Sequence, residues 1–173
     1  MSRVTTALLV GVALIVLIGI GACVGRTKQV QTLESVTEAP NHPKADRFAF
    51  TGEAKTQVLG KSTWKSNSDM RTPGQGVMQA MWVVPVSDPG SELGDSVTMW
   101  VTASFPVKHA DDPEPWLQRL RDEFDGHPQE LPAQVRAGEG RNSGWEKAIV
   151  MAERSYGLKS HPQAPVVTWP PLD

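Results

Sequence analysis

The sequence predicts an α+β chain: a single N-terminal transmembrane or signal helix, then a small antiparallel sheet with a β-hairpin packed by two helices, and an extended Pro-rich C-terminal tail. Three observations carry this. Residues 4–25 hold no charged side chain. Two similar apolar runs, residues 80–84 and 98–102, flank a stretch of turn formers. Two stripes of apolar residues at helical spacing follow, ahead of a tail containing Pro162, Pro165, Pro170 and Pro171. The chain divides accordingly into a membrane or signal segment (1–25), a polar stalk (26–47), a soluble α+β domain (48–160) and the extended tail (161–173).

At about 1.5 Å per helical residue, residues 4–25 span about 33 Å, against about 30 Å of bilayer hydrocarbon. As an uncleaved anchor the segment is closed by Arg26 and Lys28. A second reading stays open, because Ile20, Gly21, Ala22 and Cys23 resemble the bacterial lipobox, and the only cysteine of the chain occupies its lipidation position. That resemblance covers four residues and implies cleavage before Cys23. Ala7 with Gly11, and Gly21 with Gly25, stand four apart on one helix face, a spacing that lets a second helix approach closely in a membrane. Membrane lipid is the expected first partner. A short basic lead before the apolar run suits an export signal, so the soluble domain is expected on the extracytoplasmic, periplasmic side.

In the stalk, Gln29, Gln31, Glu34 and Glu38 precede Pro40, which breaks any helix. Phe48 and Phe50 alternate with polar neighbours and predict a strand, while residues 53–64 fit strand or helix equally. The hairpin is the clearest β signal. Pairing symmetric about Ser91 sets Trp82 opposite Trp100 and gathers Met78, Trp82 and Trp100 on one face. Either a helix covers that face or it is a docking surface. Asp112 as cap and Pro113 at the first position open the first helix, whose Trp116, Leu117, Leu120 and Phe124 form a stripe ended by Gly126. Ser143 and Glu146 form a capping box for the second helix, where Trp145, Ala148, Ile149, Ala152 and Tyr156 share a face and Gly157 caps the end. The tail's Val166, Val167 and Trp169 are available to add an edge strand or grip a neighbour.

Composition narrows the function. Lys and Arg total 17 against 19 Asp and Glu, which lacks the basic excess of phosphate-neutralising proteins, so nucleic acid is not expected as a partner. One cysteine permits neither an internal disulfide nor a cysteine metal cluster. Gly138, Gly140 and Gly144 enter a helix, yet Ser143 stands where the dinucleotide pattern requires glycine. His109, Asp111 and Asp112 lie close together without a second ligand cluster, and Ser143 and Ser155 are not in a nucleophile-elbow context. No catalytic residue, metal ligand or cofactor is therefore assigned. The expectation is a non-enzymatic accessory or scaffold subunit of a bacterial envelope complex that contacts membrane or envelope proteins through Met78, Trp82, Trp100 and Trp169. Two alternatives stand beside it: an envelope lipoprotein binding a small apolar or lipid ligand between sheet and helices, and an enzyme whose site is scattered in sequence.

Overall fold

A computed structural model describes residues 29–66, 77–106, 112–135 and 144–170. In chain order they form β1 (Val30–Thr32), a 3-10 helix (Val36–Asn41), β2 (Arg47–Thr51), β3 (Glu53–Ala54), β4 (Gly60–Ser66), β5 (Val77–Ser87) and β6 (Trp100–Pro106). Then come α1 (Glu114–Arg119), prolonged by a π-helical turn (Leu120–Phe124), β7 (Pro128–Val135), α2 (Gly144–Tyr156) and β8 (Pro165–Thr168).

These strands join in one eight-stranded sheet in the order β1-β2-β7-β8-β6-β5-β3, with β4 on the same edge of β5 as β3. The expected small antiparallel sheet is corrected here: β1 runs parallel to β2 and β8 parallel to β6, so the sheet is mixed. The tail is corrected as well. β8 lies inside the sheet between β6 and β7 and is the strand that joins its two halves. Prolines do not prevent this, because Pro165 opens the strand, where a missing N–H costs least, and Val166 and Val167 bury one side chain on each face. Residues read as a polar stalk are folded in too. Leu33, Val36 and Ala39 enter the core, and the Ser35 hydroxyl caps the 3-10 helix by accepting from the Thr37 N–H.

β5 and β6 form the expected antiparallel hairpin, but in another register. Trp82 stands opposite Ala103, and Trp100 opposite Pro85, a shift of three residues from the symmetric pairing. An odd shift turns every side chain of one strand to the other face. The connection between the two strands is asymmetric. Asp88 to Ser91 closes directly on β5, with Gly90 at φ 72° and Ser91 N donating to Asp88 O, and the rest of the connection strays to pair Val97 with Ser160.

Each face of the sheet carries a helix. On one side α1 lays Trp116, Leu117, Leu120 and Phe124 over Trp82, Phe105, Phe48 and Phe50. On the other α2 lays Trp145, Ala148, Ile149 and Ala152 over Val83, Trp100 and Val166. α1 starts one residue later than expected, with Pro113 rather than Asp112 at the cap position; Asp112 Oδ1 still accepts from the Glu114 N–H at 3.0 Å, and Gly126 follows the helix end at φ 73°. Gly157, at φ 68°, closes α2 while Leu158 N donates to Glu153 O, a Schellman arrangement. Tyr156, expected on the buried stripe of α2, is exposed.

No helix among the described residues is long and apolar enough to cross a membrane. The longest, α2, has 13 residues, about 20 Å at helical rise, with charged Glu146, Lys147 and Arg154 on its outer face. Among the described residues, the expected small antiparallel sheet packed by two helices gives way to a sheet-rich α+β domain of eight strands and three helices, none of which could cross a membrane. The segment that carried the expectation, with Ala7, Gly11, Gly21, Cys23 and Gly25, lies outside the described residues, as do His109, Asp111, Gly138, Gly140 and Ser143.

Candidate functional site

The residues singled out for partner or ligand contact do not form one surface. Trp82 is 1% exposed and sits beneath α1, stacked at 4.3 Å on Phe105 and 5.8 Å from Trp116. Trp100 is fully buried on the opposite face, beneath α2, its indole N–H donating to Ser160 Oγ at 2.9 Å. A cavity shared by Met78, Trp82 and Trp100 is incompatible with this register. Met78 is exposed on β5. Trp169 packs edge-on against Phe124 at 5.4 Å, and the Arg119 guanidinium lies 5.9 Å from its ring. The indole N–H groups of Trp116 and Trp169 are buried without a hydrogen-bond partner.

Two arrangements emerge that sequence reasoning did not single out. The first is a charged cluster where β3 meets the end of α1. Lys55, almost wholly buried, donates from Nζ to Glu53 Oε1 at 2.6 Å, while Glu53 Oε2 accepts from Gly90 N at 2.9 Å. Asp125 Oδ1 accepts from Ala54 N at 2.6 Å, and Arg121 reaches Thr56 and Glu114. The Lys55 hydrogen bond, aided by the Gly90 N–H, holds the Glu53 carboxyl below its ordinary range. Burial pushes Asp125 above its own, against the pull of the Ala54 N–H. Two carboxyl groups driven apart in this way are the raw material of acid-base chemistry. Here their oxygens hold backbone N–H groups, and they tie β3, the Asp88–Ser91 turn and the end of α1 together. Asp88 acts similarly, accepting from Ser35 Oγ at 2.6 Å and Val36 N at 2.7 Å to fix the 3-10 helix.

The second arrangement is the outer surface of α2. An open groove of about 520 Å³ is lined by Glu146, Lys147, Val150, Met151, Arg154 and Ser155, one stripe of the helix opposite its buried face. Met151 is 42% exposed, yet its sulfur accepts from Lys61 N of β4 at 3.2 Å. The stripe is held rigidly from below. Ala148 O comes so near Gly60 that a Cβ there would stand 2.1 Å from it, and Ser62 Oγ donates to Gly144 O. Only glycine at position 60 lets helix and strand backbones meet this closely.

The stripe was legible from the sequence, since the spacing that buries Trp145, Ala148, Ile149 and Ala152 turns Lys147, Met151 and Arg154 outward. The charged cluster was not, because Glu53, Gly90 and Asp125 are brought together only by the fold.

Comparison with family models, with curated proteins and with solved structures finds no match. Neither the described helices nor any relative supports the transmembrane, envelope-anchored character expected from residues 1–25.

Proposed function

We propose that this chain is a non-enzymatic accessory protein that works through protein–protein contacts, with its sheet as scaffold and the outer surface of α2 as the contact surface. The observation that carries this reading is the groove on α2. It is open, it follows one helix, and an exposed methionine stands between charged side chains. Small-molecule sites are concave and bury most of their ligand among converging elements. A groove along a single exposed helix suits an elongated protein segment instead. On the export reading of residues 1–25, these contacts are made on the extracytoplasmic side.

Purification of the full-length chain from producing cells in mild detergent, followed by native mass spectrometry, tests the reading. A stoichiometric protein partner is expected. A chain recovered alone across salt and detergent conditions counts decisively against it.

A further inference from the structure

We infer that the α2 stripe receives an acidic segment of a different protein, one that sets an apolar side chain between carboxylates. This rests on the accessory reading above and names the partner's chemistry. Lys147 and Arg154 stand seven residues apart on one exposed face, about 10 Å at helical rise, with Val150 and Met151 between them. Neither cation is in an ion pair among the described residues. Glu146 shares the stripe at its N-terminal end, and Glu153 is turned away, its Oε1 accepting from Ser160 N at 3.1 Å. The groove therefore has an apolar centre with a cation on each side.

The same charges argue against a second copy of this chain as occupant. A two-fold axis across Val150 and Met151 would set each Lys147 against the other copy's Arg154, a like-charge contact on both sides of the axis. An acidic segment meets both cations and covers Met151. Because the helix beneath is pinned to β4 at Gly60, the surface is formed before binding, so little ordering opposes the association.

The test places a photo-crosslinking residue at position 150 or 155 of the full-length chain in producing cells, with positions 78 and 123 as comparators elsewhere on the surface. Mass spectrometry then reads the crosslinked peptide. Expected is a single protein captured from positions 150 and 155 through a segment of net negative charge. Capture should fall at least tenfold in Lys147→Glu/Arg154→Glu and persist in Lys147→Arg/Arg154→Lys, with both variants checked for an unchanged melting curve. If the doubly reversed chain does not fold, Lys147→Gln and Arg154→Gln serve singly, each expected to weaken capture severalfold. A basic captured segment, a second copy of the chain, or indifference to charge reversal overturns the inference. Crosslinks confined to positions 78 or 123 overturn it while leaving the accessory reading in place; no crosslink at any position removes both.

Discussion

The two faces of the sheet are packed by different means. Beneath α1 the core is aromatic, with Trp82, Phe105 and Trp116 in mutual contact and Phe124 wedged between Phe50 and Trp169. Beneath α2 it is built largely of small and branched residues, Ala148, Ala152, Ala164, Val83 and Val166, around Trp100 and Trp145. Large rings fill space at a distance from the sheet, whereas small residues let backbones meet, as Gly60 and Ala148 do. One face derives its stability from buried area and the other from close fit, so they should fail differently when disturbed.

The largest loss is expected where area is removed. Trp116→Ala empties a fully buried site and should cost about 3–5 kcal/mol in chemical denaturation, with hydrogen exchange accelerating first in α1. A variant that loses less than half of this would show that the aromatic face collapses to fill the gap. On the opposite face Gly60→Ala adds one methyl group and should still cost about 2–3 kcal/mol, because the obstacle is the backbone of α2 rather than a side chain that can turn aside. Exchange should then rise in α2 and β4 and leave α1 protected. Equal loosening of both helices would erase the distinction between the faces.

Next in size is the clamp outside both cores. Asp88→Ala removes the acceptor of Ser35 Oγ and Val36 N and should cost about 1–2 kcal/mol, visible as loss of amide protection in the 3-10 helix. Asp88→Asn should retain most of it.

The smallest effects are those of pH at the charged cluster, where two carboxyl groups slope in opposite directions. The folded chain holds the Asp125 proton more tightly than the unfolded chain does. That contribution is full below the unfolded value and is lost as pH rises through the raised folded one. Asp125→Asn should therefore gain on the wild type between acid and neutral pH. Glu53 behaves in reverse. Its contribution is full above the unfolded value and is lost as pH falls through the lowered folded one, so Glu53→Gln should match the wild type in acid and fall behind towards neutrality. Melting curves across that window check both signs, and parallel curves for the two variants would refute the assignment.

By itself the sequence determined the local elements. Asp112 with Pro113, and Gly157 after a stripe of period 3.6, place α1 and α2, because capping and helical periodicity are satisfied within a dozen residues. Alternation of Phe48 and Phe50 places β2, and the paired apolar runs place β5 and β6. The tertiary structure alone decided how these elements meet. Whether Trp82 and Trp100 share a face depends on the parity of a hairpin register, and the long connection, which departs from the hairpin to pair Val97 with the distant Ser160, leaves that parity open in the sequence. Whether Val166 and Val167 end in a loose tail or an inner strand depends on β6 and β7, neither adjacent in sequence, offering their edges to it. Caps and periods are local interactions written in neighbouring residues. Register, strand order and the meeting of Glu53 with Gly90 and of Asp125 with Ala54 are settled by contacts between residues far apart in the chain, whose free energy exists only once the whole sheet has closed.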